Sequence, residues 1–369
     1  MQRRQFLLAS AYFAALGSIG AITGHLMAPK RGNTKNLIVS AAKHKNGQYF
    51  VIAVTPSGHV ESQTRLHQRD HDTLAFTNKA NHVVVFARRP DNFAIEVNVL
   101  SGEITRTFQS QKGRHFYGHG ALSQDGLFLF TTENDFETNR GLIVVRDTQN
   151  YQVVGEFNSG GIGPHQIKVM PDGNQLVVAN GGIQTHPEFP RMKLNIDTMA
   201  PNLAYLDIDS GMIIDTFISP HHQQSIRHID VNDEGTVLVG IQFQGDKNQT
   251  VPLVYSHSGQ DQLQVMHTSN TVWDSMRHYT ASAFVSGNSA YLTCPRGDMI
   301  THWDLLTHTL IAQHTLKDVA GAAQGLSPSD SPVFSSGLGS LMTSYGTTGN
   351  QQLSEFVFDN HMTSIAITS

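Results

Sequence analysis

Residues 117–130 read YGHGALSQDGLFLF, and this stretch decides the fold. A histidine lies in a short apolar strand, an Asp-Gly turn follows, and a second apolar strand comes directly after the turn. The same order recurs at residues 164–178, PHQIKVMPDGNQLVV, and at residues 227–239, RHIDVNDEGTVLV. A β-hairpin that recurs with a histidine near its start indicates a repeat architecture, and it places a candidate functional residue in each repeat.

The histidines recur at about the spacing of a four-stranded propeller blade. Successive separations are 48, 46, 63 and 50 residues, against roughly 40–50 residues for such a blade. The longest interval contains an insertion at residues 181–201. The anchoring histidines are His71, His119, His165, His228 and His278.

Two further units complete the predicted ring. One is expected to open at residues 323–327 without a histidine, and the other opens with His361 and has only one strand before the chain ends. Strands at residues 37–42, 50–55 and 60–65 complete it, because pairing the first strands with the last leaves no open edge. The sequence therefore predicts an all-β fold, a single seven-bladed β-propeller over residues 37–369. A two-sheet sandwich would need about half this length and no fixed period.

Composition excludes some functions. The 369 residues carry a net charge of −5, which argues against nucleic acid, whose partners present a basic face. Histidine is abundant, with 20 residues against 25 Lys plus Arg. Cys294 is the one cysteine, so no disulfide can form within the chain; we expect it to be a buried apolar residue, with a metal-ligand role as the alternative.

Residues 1–36 are predicted to be an export signal and a linker. Arg3 and Arg4 precede an apolar run at residues 7–22, a pattern typical of twin-arginine export to the bacterial periplasm. A transmembrane anchor is the alternative, although the run is shorter than the ~20 residues that a span prefers. The best cleavage candidate, residues 26–28, is not a clean site, so contact with the membrane through a retained signal stays open.

The histidines are the candidate metal ligands. Innermost strands begin at one face of a propeller, so the histidines are expected to ring the mouth of the central channel. Imidazoles from several blades suit iron or copper, with three or four ligands from adjacent blades, or a multi-metal or haem site. If protonated, they would instead bind an anion. The candidate ligands are His71, His119, His165, His228, His278 and His361.

Charged residues near the same face are candidate cofactor-binding groups. Arg114, Arg227 and Arg277 precede predicted innermost strands, and each is expected either to bind the edge of an anionic ligand or to pair with Glu133 and Asp135.

Several stretches carry a resemblance to a known family: residues 114–120, 132–135, 163–165, 179–183, 185–188 and 225–228. On these residues the chain resembles a family of twin-arginine-exported bacterial propellers of unknown function (DUF1513-type). The resemblance covers nearly everything after residue 36. It implies a periplasmic protein with iron-uptake or redox proteins as partners, because members are often encoded beside imelysin-type iron-uptake proteins. The chain is also distantly similar to the quinoprotein amine dehydrogenase heavy subunit and to nitrous-oxide reductase, whose second copper domain it lacks.

Together these observations predict a periplasmic propeller that binds a transition metal or a metal complex and is accessory to iron uptake. A metal-free interaction scaffold and a metalloenzyme propeller are the alternatives. The sequence contains no nucleophile elbow and no HExxH motif, which favours binding over catalysis and leaves enzymatic activity undecided.

Overall fold

The structure, a computed structural model, describes residues 34–88, 91–189, 192–325, 332–343, 346–349 and 352–368. Within these residues, 28 strands form seven four-stranded antiparallel sheets. Each sheet is one blade of a β-propeller, as the sequence predicts. The predicted export signal lies outside the described residues, and the first strand begins at Thr34.

Blade 1 combines the two ends of the chain. Its strands are β1 (Thr34–His44), β2 (Tyr49–Val54), β3 (Val60–Leu66) and the last strand of the chain, β28 (Phe356–Thr368). Blade 2 contains β4 (Asp70–Ala75), β5 (His82–Ala87), β6 (Phe93–Asn98) and β7 (Glu103–Gln109). Blade 3 contains β8 (Arg114–Leu122), β9 (Phe128–Asp135), β10 (Arg140–Asp147) and β11 (Val153–Asn158). Blade 4 contains β12 (Pro164–Val169), β13 (Gln175–Asn180), β14 (Asn202–Asp207) and β15 (Ile213–Ile218).

Blades 5 to 7 complete the ring. Blade 5 contains β16 (Gln224–Val231), β17 (Val237–Phe243), β18 (Val254–His257) and β19 (Gln264–Val265). Blade 6 contains β20 (Ala283–Ser286), β21 (Ser289–Cys294), β22 (Met299–Asp304) and β23 (Thr309–Thr315). Blade 7 contains β24 (Val319–Ala323), β25 (Val333–Ser336), β26 (Ser340–Thr343) and β27 (Gly346–Gly349). Outside the strands, α1 (Asn270–Ser275) precedes blade 6, and single 3-10 turns form at Ile196–Thr198, Pro295–Gly297 and Leu353–Glu355.

The ring is closed by the pairing of β28 with β1. Their antiparallel register runs from Thr34 opposite Thr368 to His44 opposite Phe356. The innermost strand of every blade contacts the innermost strands of both neighbouring blades, so the circle has no gap. Closure by the two chain ends, which the sequence predicts, removes the free sheet edge that an open array of blades would leave.

The hydrophobic core lies between adjacent blades. Blades 1 and 2, for example, pack Val39 and Val51 against Val83 and Val85. The middle strands carry near-continuous apolar runs because both of their faces are covered by neighbouring blades. The core therefore fixes the angle between blades and leaves the channel on the axis to be filled by other side chains.

Two boundaries differ from the sequence prediction. The innermost strand of blade 7 is β24, which ends where residues 323–327 were expected to begin it; its five residues are all buried. The innermost strand of blade 6 begins at Ala283, five residues after His278. Across the described residues, no helix has the length and apolar character that crossing a bilayer requires.

Candidate metal centre in the central channel

Five of the six predicted histidines meet inside the channel. They lie on the innermost strands of blades 1 to 5, and four of them are buried while His165 is half-buried. Contacting imidazole rings have centroids 4.6–6.1 Å apart, and the ring of His119 contacts the other four. The sequence placed these residues at the channel mouth, whereas they fill its interior. We call His71, His119, His165, His228 and His361 the histidine cluster.

Bulges in the innermost strands place these side chains in the channel. In a regular strand, side chains alternate between the two faces of the sheet, and here both faces meet other blades. In β4, His71 is an extra residue that has no pairing partner on β5, and in β12, His165 is an extra residue that has none on β13. In β8 and β28, residues 117–119 and 359–361 each oppose a single partner residue, and in β16 the extra residue is Arg227. A bulge redirects a side chain, which here points it at the axis.

Gly118 allows the rings to approach each other. Its φ of +98° lies where residues with a Cβ are strained, and a Cβ built there would lie 2.8 Å from Cδ2 of His71. The neighbouring Gly120 is equally confined, since a Cβ there would lie 2.5 Å from Cζ of Phe86. The Gly-His-Gly sequence of β8 is therefore required for His119 to sit at the centre of the cluster.

Two triads of histidines have ligand atoms within 4.8 Å of one another, and His119 belongs to both. In the first triad, His119 Nδ1 donates to Asp72 Oδ2 at 2.8 Å, and His71 Nδ1 donates to Asp359 Oδ1 at 3.3 Å. A carboxylate on Nδ1 fixes the tautomer that leaves Nε2 as a lone-pair donor, the usual arrangement around metal-binding histidines. The third member is His361. We call His71, His119 and His361 the carboxylate-supported triad.

Two nitrogens of this triad are buried without a hydrogen bond. Among the described residues, none provides a partner for Nε2 of His119 or Nε2 of His361. Leaving a buried polar atom unpaired costs about 1–3 kcal/mol, so native structures rarely keep several together without a reason. The donor set, three imidazoles with room for a further ligand, fits a borderline transition metal such as zinc, copper or iron.

The second triad, His119, His165 and His228, is less suited to a cation. Nη1 of Arg227 lies 3.3 Å from His165 Nδ1 and donates to it. A neutral imidazole that accepts at Nδ1 carries its proton on Nε2, which removes that atom as a ligand. Moreover, Nδ1 of His119 is bonded to Asp72, so its Nε2 can serve one ion only. The two triads are therefore alternatives, and the carboxylate-supported one is favoured.

Four histidines of the cluster are uncharged at neutral pH. Burial lowers the pKa of His71, His165, His228 and His361, and neighbouring positive or ionisable groups lower it further. For His361 the pKa falls to about 3. Although burial acts to raise it, the pKa of Asp72 is held below its usual range by His119 and the neighbouring imidazoles. Neutral imidazoles beside an ionised carboxylate are the forms that bind a metal ion.

The cluster separates two spaces of opposite character. On the side where the innermost strands end lies a cavity of about 870 Å³, lined by Asp72, Asp230 and Asp233 against one cation, Lys168. On the other side lies a chamber of about 80 Å³. Arg88 and Arg227 line this chamber, and none of the described residues that line it is acidic. We call these spaces the acidic cavity and the basic chamber.

Several predicted site residues lie away from the cluster. His278 follows α1 in a turn with φ +56°, and its Nε2 donates to the carbonyl of Gln249 at 2.8 Å, so it is not part of the ring. Arg277, with φ +50°, is exposed beside it. Cys294 is buried between blades 5 and 6, where burial raises its pKa.

The candidate cofactor-binding residues of blade 3 make structural contacts instead. Glu133 forms a fully buried ion pair with Arg146 at 2.7 Å. Arg114 pairs with Glu156 at 2.8 Å, and Asp135 accepts hydrogen bonds from the backbone of the loop that follows it. Of the five candidates, only Arg227 lies against the histidine cluster.

Sequence reasoning missed the two orienting carboxylates. Asp72 directly follows His71, and Asp359 lies two residues before His361. The signal was an acidic residue within two positions of a channel histidine. It was missed because Asp72 supports a histidine of the next blade, a contact that only the ring arrangement creates.

These features define a seven-bladed β-propeller with a histidine cluster in its central channel. The family described as "Protein of unknown function (DUF1513)" matches residues 64–365, and the chain belongs to that family. No curated protein matches the chain.

Solved structures share the fold. A chain of Kuenenia stuttgartiensis hydrazine synthase is 14% identical with a TM-score of 0.56, over 86% of this chain and 96% of that one. A chain of a nidogen/laminin complex is 12% identical with a TM-score of 0.52, over 90% of this chain and 100% of that one. At these identities the likeness is one of fold.

Proposed function

We propose that the protein binds one transition-metal ion at the carboxylate-supported triad. His119 carries the proposal: it contacts the other four histidines, Asp72 fixes its tautomer, and its Nε2 is buried without a hydrogen bond in the described part of the chain. An ion at this position would satisfy the nitrogens that the fold otherwise leaves unpaired. The acidic cavity gives a cation a favourable route to the triad.

A bare ion is favoured over haem. Only His361 of the histidine cluster lines the acidic cavity, so a haem there would have a single imidazole ligand from the cluster. The ring centroids within the triad are 4.6–4.9 Å apart, a spacing that suits convergence on one ion. Iron and copper remain the proposed metals, since imidazole binds both.

We further propose an accessory role in iron handling in the periplasm, with iron-uptake or redox proteins as partners. This role follows from the family resemblance and from the predicted export signal. We propose binding rather than catalysis, because the described site consists of imidazole ligands and the carboxylates that orient them. A metalloenzyme would use the coordination position that three histidines leave open.

The test is metal analysis of protein purified from its native compartment, followed by titration of chelator-stripped protein with Cu²⁺, Fe²⁺ and Co²⁺. We expect one ion per chain and a tetrahedral or five-coordinate Co²⁺ absorption spectrum. His361→Ala should weaken binding by more than about 100-fold, beyond the 10–100-fold typical of outer-shell changes. His228→Ala should leave affinity within the error of the titration, and His278→Ala is the control outside the cluster. If the protein binds none of the three metal ions, the proposal is refuted.

A metal-free interaction scaffold is the second candidate. The outer strand of blade 4 exposes Ile213, Ile214 and Ile218, with Met212 beside them, at 43–75% of their surface. Exposed apolar residues together on one edge strand are typical of a docking site. Protein that contains no metal and binds none, but whose partner binding is lost on Ile214→Lys, would favour this candidate.

A further inference from the structure

The basic chamber is a second polar space in direct contact with the histidine cluster. Its lining includes His71, His165 and His228 from the cluster. Around them stand potential hydrogen-bond donors from blades 1, 2, 3 and 5 and from the segment before blade 6: Arg88, Tyr117, Arg227, Gln242, Tyr279 and Asn360. Guanidinium and phenol groups that converge on one small space are the donors that recognise an oxyanion.

Charge differs sharply across the cluster. The acidic cavity has three carboxylates and one ammonium in its lining, whereas the basic chamber has two guanidiniums and no carboxylate among its described lining residues. Asp359, which lies behind His71, is bonded to Arg69 at 2.6 Å and also lies 3.6 Å from Nη1 of Arg88, so this one carboxylate offsets part of the charge of two guanidiniums. A third guanidinium, from Arg296, lies 4.3 Å from the ring centroid of Tyr279 on the chamber wall. The chamber is therefore a site of positive potential inside the fold.

We propose that the basic chamber binds a small oxyanion, such as carbonate, beside the metal ion. The proposal rests on the proposed function, because a cation at the carboxylate-supported triad adds positive charge next to Arg88 and Arg227. His71 belongs to both the triad and the chamber wall, so the two ligands are neighbours. The anion offsets the combined charge, and the cation in turn favours the anion.

The size of the chamber limits the anion. A space of about 80 Å³ holds several times the roughly 10–15 Å³ that one water requires. It therefore suits an ion of four or five non-hydrogen atoms, such as carbonate or phosphate, and excludes a nucleotide. Arg227 is the principal donor, since its side chain is buried between the chamber and His165.

The two bound species are expected to strengthen each other. Coupling between sites is reciprocal, and a typical coupling changes affinity by about 5–150-fold. Metal affinity should therefore rise by about this factor when bicarbonate is added to a carbonate-free, non-coordinating buffer. Chloride at the same ionic strength should have no such effect, because it cannot accept several hydrogen bonds in fixed directions. Phosphate, at the upper end of the size that the chamber accommodates, is the second anion to be tested.

Substitutions locate the effect. Arg227→Gln should abolish the dependence of metal affinity on bicarbonate, and Arg227→Lys, which retains the charge, should keep part of it. Lys168→Gln is the matched control, because it removes the same charge from the opposite side of the cluster. The readout is the ratio of metal affinities with and without bicarbonate, and circular dichroism checks that each variant folds.

The outcomes separate the two proposals. Metal binding that is independent of both anions would overturn the oxyanion site and leave the metal site standing. An anion effect that Lys168→Gln removes and Arg227→Gln preserves would also overturn it. Failure to bind any metal, with or without anion, would overturn both.

Discussion

Replacing Asp72 with asparagine tests how the metal-binding atom of His119 is specified. Asp72 Oδ2 accepts a hydrogen bond from His119 Nδ1 at 2.8 Å, and the His119 side chain is fully buried. Because an ionised carboxylate can only accept, it holds the proton on Nδ1 and directs the Nε2 lone pair to the cluster. Asparagine has nearly the same shape, but its NH₂ group can donate to Nδ1 and move the proton to Nε2.

The expected loss is 10–100-fold in metal affinity, the usual effect of removing an orienting carboxylate. This corresponds to about 1.4–2.8 kcal/mol, at 1.4 kcal/mol for each tenfold change. Part of the loss would come simply from removing a negative charge. Asp233→Asn measures that part, because Asp233 lines the same acidic cavity and is exposed.

The assay is competition with a chromogenic chelator at pH 7, where burial keeps His71 and His361 neutral. Asp72→Asn should weaken binding by 10–100-fold, and Asp233→Asn should weaken it clearly less. Equal losses in the two variants would show that Asp72 acts only through its charge. An unchanged affinity in Asp72→Asn would refute the reasoning, because His119 could then not be a ligand whose tautomer the carboxylate sets.

Three further predictions concern stability, measured by denaturant unfolding of the metal-free protein. Burial lowers the pKa of His361 to about 3, so acid protonates this histidine in the unfolded chain before it does so in the folded protein. Between about pH 6.5 and pH 3, the free energy of unfolding of the wild type should therefore fall by about 1.4 kcal/mol per pH unit relative to that of His361→Gln. Parallel pH profiles of the two proteins would contradict this. Gly118→Ala should cost about 1–3 kcal/mol through its positive φ, whereas Gly155→Ala, with its nearest contact at 3.8 Å, should be nearly neutral. Arg146→Met should lower stability by about 3–5 kcal/mol, because it leaves the buried carboxylate of Glu133 without a partner, whereas Arg114→Ala should lower it by about 1 kcal/mol. Equally small losses in the two variants would make Glu133 a candidate ligand-binding residue again.

The fold could be predicted because the same turn sequence recurs once per blade and can be recognised locally. Gly126, Gly173 and Gly235 have φ of +70°, +74° and +84°, the conformation that the turn after each first strand requires. These positions fixed the phase of the repeat independently of the histidines. Blade 1 followed from the shortage of strands at the end of the chain, a matter of counting that needs no tertiary information.

The membership of the histidine cluster could only partly be predicted. Arg227-His228 and Arg277-His278 are the same dipeptide, yet the first lies in a bulged innermost strand and the second in a left-handed turn after α1. Local sequence does not distinguish them, because the difference comes from the bulge register and from where β20 begins. The same limit explains why the supporting role of Asp72 was missed, since its partner lies 47 residues away on the next blade.

Blades 6 and 7 show that the fold itself does not need histidines on its axis. Their innermost strands, Ala283–Ser286 and Val319–Ala323, contain small and apolar residues and no histidine, yet they complete the same ring. Apolar side chains in blades 1 to 5 would fill the channel without leaving buried nitrogens unpaired, at about 1–3 kcal/mol for each. Among the residues that the structure describes, the five bulged strands leave three such nitrogens, on His119, His228 and His361, and these oppose stability unless a ligand satisfies them. This cost in stability, which the innermost strands of blades 6 and 7 do not share, is the strongest physical reason to expect a metal ion between the acidic cavity and the basic chamber.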